Sequence, residues 1–318
     1  AKSFVTDPVT VDWDLDFRAD TVYFGTVSTT VEKQKNNANE DTVSVIKAQS
    51  GKLFKLDLKE TKVVNDWVAP KVMLNPAAPV VATPSVTFDE VGNRWVMAGT
   101  GRFYADLDKP STFNNYLFGV IDSDTNTAGA SAPIYNFGTL VDVSAARVKT
   151  DNTLITPIAI GGGNTASDID SLTQGVIKAG GWKLNLAAPG GPTERNVTQT
   201  SILGDVFFAA GFTPSDSLCS GEGRSQLYGL YYKTGTARGD LPIFGTVTDG
   251  VTDIEEAVRD IDLGVGLAAA PSLHVGAARD QRGITVLTQT STGAIERREA
   301  DVSGSARSGE VDWREPRP

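Results

Sequence analysis

Four aspartates stand close together near the amino end, in the run Val11-Asp12-Trp13-Asp14-Leu15-Asp16-Phe17-Arg18-Ala19-Asp20. Counted from Asp12, they fall at positions one, three, five and nine, the ligand spacing of a calcium loop, with the Arg18 carbonyl at position seven. Like charges at this density repel one another unless water or a hard cation separates them. The spacing therefore predicts a Ca2+ site made by Asp12, Asp14, Asp16 and Asp20 with the Arg18 carbonyl. A solvated acidic turn is the competing reading. Phe17 sits at position six, where calcium loops use glycine, and Tyr23 sits at position twelve, where they use a bidentate glutamate. Any calcium affinity is expected at the weak, extracellular end of the range.

Other chemistry-bearing residues are sparse. Arg238-Gly239-Asp240 spells a tripeptide read by integrin-type receptors, although Gly-Asp is also ordinary turn chemistry. Cys219 and His274 are the sole cysteine and the sole histidine, so zinc sites built from such ligands within this chain are excluded. His274 lies in the apolar run Pro271–Val275 and reads as a strand residue rather than a catalytic base. Gly161-Gly162-Gly163-Asn164 lacks the Lys-Ser/Thr pair of a phosphate loop.

The elements that must position these residues read as strands. Val, Thr and Ser are abundant, and 32 glycines and 15 prolines punctuate the chain. The clearest strand patterns are 21–27, 94–98, 154–160, 206–210 and 284–288. The best helical pattern, 253–259, is short, and the polar stretches 28–41 and 164–173 read as solvated insertions. A degenerate repeat runs beneath the strands: Ala82-Thr83-Pro84-Ser85-Val86, Thr198-Gln199-Thr200-Ser201-Ile202 and Ala269-Ala270-Pro271-Ser272-Leu273 each precede an apolar strand. Small repeated sheets of this kind cannot hide both faces alone and must stack on neighbours. The expected fold is all-β, a β-propeller with four or five blade-like units in one domain over 1–318, with a two-sheet sandwich as the alternative. The tryptophans, spread over separate strands, are expected as blade-core anchors.

The formal charge of -10 repels phosphate backbones, so no nucleic-acid partner is expected. No run of eighteen apolar residues is present, so no membrane-spanning helix is expected.

Several stretches, in order, resemble the carboxy-terminal domain of the PilY family of type IV pilus biogenesis factors and tip adhesins. They are the Asp-x-Asp-x-Asp-x-x-x-Asp loop running into Val22-Tyr23-Phe24-Gly25, Gly51–Leu58, Ala82–Phe103 with its Gly99-Thr100-Gly101-Arg102-Phe103, Asn115–Asp122, Gly181-Trp182-Lys183-Leu184-Asn185-Leu186, Phe207–Gly235 with Cys219–Tyr228, and Val311–Glu315. The resemblance implies a β-propeller, an extracytoplasmic or pilus-tip location, assembly with minor pilins, and calcium held by Asp12, Asp14, Asp16 and Asp20. It departs at Leu15 and Phe17, where that family places glycines. On this reading the chain is the carboxy-terminal portion of a longer secreted protein, non-enzymatic, with a host or surface receptor as a further partner. A preceding segment or a separate chain would complete the ring. The alternatives are a secreted quinoprotein-type propeller dehydrogenase and an extracellular carbohydrate- or protein-binding module.

Overall fold

The computed structural model describes residues 2–35, 42–58, 61, 63–67, 69–123, 134–186, 192–215, 223–248, 253–275 and 283–301. Four sheets follow one another along the chain, antiparallel throughout except that β10 runs parallel to β13 in the second. The first contains β1 (Lys2–Val5), β2 (Val9–Val11), β3 (Thr21–Lys35), β4 (Thr42–Ser50), β5 (Leu53–Asp57) and β6 (Lys71–Leu74), with β3 pairing β1, β2, β4 and β5. The second has the order β10-β13-β9-β8-β7, from β7 (Ser85–Phe88), β8 (Arg94–Gly99), β9 (Tyr116–Asp122), β10 (Val141–Asp142) and β13 (Gly181–Asn185). Between β10 and β13 the chain makes the hairpin β11 (Thr153–Gly161) and β12 (Asn164–Asp168) and the helix α1 (Ile169–Ala179). The third sheet has β14 (Ser201–Leu203), β15 (Val206–Thr213), β16 (Arg224–Tyr231) and β19 (Asp260–Val265) side by side, with the hairpin β17 (Thr246–Thr248) and β18 (Glu255–Ala257) inserted before β19. The fourth is β20 (Ser272–Val275), β21 (Gly283–Gln289) and β22 (Ile295–Asp301).

Strand alternation explains why these sheets stack as blades. Successive side chains of a strand point to opposite faces. On β8, Val96 and Ala98 pack with Tyr23, Leu53 and Met73 of the first sheet, whereas Trp95 and Met97 pack with Phe207, Leu230 and Tyr232 of the third. On β15, Phe207 and Ala209 face the second sheet, and Val206, Phe208 and Ala210 face Ile284 and Val286 of the fourth. Each middle sheet is thus buried on both faces by a neighbour. Trp95 and Trp182 are fully buried in the seam between the second and third blades, as expected of core anchors. Trp67, expected as another, is instead half-buried outside the core clusters, its indole donating to the Thr61 carbonyl at 2.9 Å.

The repeated small-residue segments meet one another. The Ser85 and Thr200 hydroxyls are 2.7 Å apart, and Ser201 Oγ donates to the Pro271 carbonyl at 2.9 Å. All three repeats therefore lie where the first strands of successive blades approach one another, joined by these side-chain hydrogen bonds. The arrangement is the radial one of a β-propeller, and among the described residues it comprises four blades.

Three expectations are corrected. Of the stretch 28–41, read as a solvated insertion, residues 28–35 continue β3 and pair with β4 from Ser28↔Ser50 to Lys35↔Thr42, while 36–41 lie outside the described residues. The stretch 164–173, read as a solvated loop, is β12 followed by the first turns of α1. Asp168 caps this helix by accepting from Ser171 N at 2.7 Å, Gly180 ends it at φ 84°, and Ile169, Leu172 and Val176 bury its inner face. The segment 253–259, read as a helical turn, contains β18 instead, because its backbone pairs both with β17 and with Val148 through Ala257 N at 2.9 Å. His274 does lie in a strand, β20. Cys219 and Trp313 are outside the described residues.

Candidate functional site

The acidic loop is the tip of the β2–β3 hairpin. Register pairs Val9 with Tyr23 and Val11 with Thr21, so residues 12–20 must turn the chain between two fixed ends. Asp20 N donates to the Val11 carbonyl at 2.8 Å, and the Asp20 carbonyl accepts from Leu58 N at 2.8 Å. These bonds seat the base of the loop on the first blade.

Inside the loop the carboxylates curl over backbone donors. Asp12 accepts from Asp16 N at 3.2 Å and Phe17 N at 2.7 Å, and Asp20 accepts from Trp13 N at 2.6 Å. One carboxylate oxygen from each of Asp12, Asp14 and Asp20 lies within 4.8 Å of the others. A sphere of oxygens around calcium at about 2.3–2.6 Å tolerates just such separations, so the donor set suits a hard cation. Asp16 is not in the cluster. Its carboxylate accepts from Arg18 N at 2.8 Å and faces the Arg18 guanidinium at 3.8 Å. The structure thus brings together three of the four aspartates named from spacing and pairs Asp16 with Arg18.

Leu15 and Phe17 adopt left-handed φ angles of 62° and 69°. The glycine requirement read from the sequence is therefore a real backbone requirement, met here by residues for which that region costs roughly 1–2 kcal/mol each. Their side chains stand out from the tip, with Phe17 98% exposed.

Beneath the loop lies a cluster that sequence reasoning missed. The Trp13 ring meets Tyr23 edge-on, centroids 6.4 Å apart, and Arg94 sits over the same indole at 5.4 Å. Tyr23 Oη donates to Asp122 at 2.5 Å, and Lys55 Nζ donates to both Asp122 oxygens at 2.9 and 2.8 Å. Burial, reinforced by the Asp122 charge, holds the Tyr23 phenol well above its usual pKa. This ionic group lies between the first and second blades. Its members are 99 residues apart at Tyr23 and Asp122, so no local motif could reveal it.

The Arg238-Gly239-Asp240 tripeptide is tied down. The Arg238 guanidinium makes two bonds to Asp240, at 2.7 and 2.9 Å, and a third to Asp205 at 2.6 Å. Gly239 N donates to Asn152 Oδ1 at 2.8 Å, and a Cβ at Gly239 would lie 1.8 Å from the Lys149 carbonyl. The bond to Arg238 holds the Asp240 carboxyl below the usual carboxylate range. Both charges of the tripeptide are engaged within the protein, and its glycine serves close packing against the β11 side.

Blades stacked around a common hub, with an acidic hairpin loop at the amino end, define the chain as a β-propeller domain carrying a candidate cation loop. In fold it is similar to the crystal structure of the Pseudomonas aeruginosa PilY1 C-terminal domain, with a TM-score of 0.56 and 17% sequence identity over 95% of this chain. The chain spans 61% of the length of that structure. No family model and no curated protein matched the sequence. No helix among the described residues is long and apolar enough to cross a membrane.

Proposed function

We propose that this chain is a non-enzymatic propeller module of an extracytoplasmic protein that assembles with minor pilins at the tip of a type IV pilus and contributes to adhesion. The observation that carries the reading is fold likeness to the PilY1 C-terminal domain along 95% of the chain. The ordered motifs from Asp12 to Glu315 add to it, since they occur in sequence rather than singly.

In this role Asp12, Asp14 and Asp20 hold a calcium ion, whose charge offsets the mutual repulsion of the three carboxylates. Asp16 acts with Arg18 to shape the loop and does not ligate. The loop is then stiff when loaded and self-repelling when empty, so contacts near its tip respond to calcium. Three carboxylates and strained residues at Leu15 and Phe17 support an affinity toward the weak end.

The test pairs calcium calorimetry with capture of purified minor pilins by the immobilised protein. Wild type is expected to bind both, Asp12→Asn to lose calcium, and Asp16→Ala to retain most of it. Absence of minor-pilin capture with and without calcium refutes the pilus role. Wild-type calcium affinity in Asp12→Asn refutes the ligand set.

A further inference from the structure

One buried acid takes no part in the loop or its support. Residues 193–196 link the second blade to the third, and their backbone is bonded to both. Thr193 N donates to the Ser111 carbonyl at 3.1 Å and Asn196 N to the Thr100 carbonyl at 2.9 Å, on the side of the second blade. Arg195 and Phe212 of β15 exchange both backbone bonds, at 2.9 and 2.8 Å, on the side of the third. The connector is a stitch across the seam.

Glu194 sits in the middle of that stitch and is 8% exposed. Its Oε2 accepts from Tyr228 Oη at 3.0 Å, while its Oε1 is buried with no hydrogen-bond partner. The carboxyl presses directly on the backbone of β15, where a Cβ at Gly211 would come within 1.7 Å of Oε1. The other groups whose charges reach it are Asp260, which raises its proton affinity, and Arg259, which lowers it. Arg195 turns the other way, where its guanidinium donates to the carbonyls of Arg102, Asp108, Ser111 and Thr193 and lies near the Asp108 carboxylate. A buried carboxylate with a single donor is costly in the seam, whereas the neutral acid costs far less to bury.

We propose that Glu194 is a pH-operated latch between the second and third blades. The carboxyl is neutral while the seam is closed. When it releases its proton to solvent, the side chain withdraws from β15 and the connector lets go of Phe212. Burial supports this by pushing the Glu194 carboxyl up to about 7 from 4.5. Because the folded value is the higher one, the stabilisation is complete below 4.5 and is lost as pH rises through about 7. A shift of that size corresponds to a roughly 300-fold fall in the folding equilibrium constant.

The test compares urea unfolding from pH 4.5 to 8.5 with amide exchange at Phe212 and Arg195, corrected for intrinsic rates, in the full chain. Wild type is expected to lose stability across this window and to expose both amides as pH rises, and Glu194→Gln to do neither. Tyr228→Phe removes the one donor to the carboxylate, so the transition should move to higher pH; this variant decides the matter if Glu194→Gln fails to fold. Equal pH slopes in wild type and Glu194→Gln overturn the proposal, as does Phe212 protection that ignores pH, or a Tyr228→Phe transition that stays in place.

Discussion

Asp122→Asn probes the seam between the first and second blades, and its cost can be worked from the contacts. Asp122 is completely buried and Lys55 nearly so, with side-chain exposures of 0% and 4%. Removing one partner of such a pair leaves the other charge under-compensated in a low dielectric, at about 3–5 kcal/mol when no other partner remains. Asp57 remains 3.2 Å from Lys55 Nζ but is itself 29% exposed, so it retains part of the attraction and the ionic loss belongs near 3 kcal/mol, order of magnitude. Tyr23 also gives up a hydrogen bond to a charged acceptor in exchange for one to a neutral amide, which adds about 1 kcal/mol. Asp122→Asn should therefore lower unfolding free energy by roughly 4 kcal/mol.

Urea unfolding followed by tryptophan fluorescence reads this loss as a lower midpoint at unchanged slope. Because the pair is shielded from solvent, half-molar salt should leave the difference nearly intact. The double variant Lys55→Met with Asp122→Asn is the control on mechanism: both charges are gone while the amide oxygen still accepts from Tyr23 Oη, so the desolvation penalty vanishes and most of the ionic loss should return. A loss below about 1 kcal/mol in Asp122→Asn refutes the reasoning, because it would mean that the cluster is hydrated. A double variant no more stable than the single refutes it as well, by showing that shape rather than charge was being measured.

Two smaller effects follow from backbone and packing. Phe17→Gly removes a left-handed strain of roughly 1–2 kcal/mol but adds about 0.5–1 kcal/mol of unfolded-state entropy, so a net gain of about 0–1.5 kcal/mol is expected in thermal unfolding. Destabilisation by Phe17→Gly would show that the exposed ring is used in the folded protein. Gly119→Ala places a methyl 2.7 Å from Trp182 Nε1, which already donates to the Tyr232 carbonyl at 2.7 Å, and should destabilise by roughly 1–3 kcal/mol; an unchanged melting temperature would refute the tightness of that seam.

Strands were readable because their evidence is local. Thr21–Val27 and Val206–Ala210 are written in alternation or in continuous apolar runs, and burial on one or both faces follows directly. The stacking of the sheets was readable too, since small repeated sheets cannot hide both faces alone; that the small-residue segments meet one another is shown only by the structure. Helix α1 was obscured by the polar residues of its outer face, although Asp168, Ser171 and Gly180 are ordinary start and stop signals at the right spacing. At 253–259 the error ran the other way: local charge and apolar spacing suggested a helix, but pairing with Val148 and with β17 decided the conformation. No property of residues 253–259 alone contains that information.

The acidic loop shows the same division within a single motif. Spacing along the chain correctly marked Asp12, Asp14 and Asp20 as residues able to converge, because a hairpin loop that starts at Val11 and ends at Thr21 has few ways to turn. Spacing could not assign Asp16, whose carboxylate is taken by the amide and guanidinium of Arg18 two residues on. Nor could it show what supports the turn, because Trp13 rests on Tyr23 and Arg94, and Tyr23 in turn on Asp122 of the next blade. The loop's carboxylates are therefore a local feature held in place by a non-local one. A perturbation of Asp122 should be felt at the loop through Tyr23 and Trp13, whereas neutralising Asp16 should disturb only the turn that contains it.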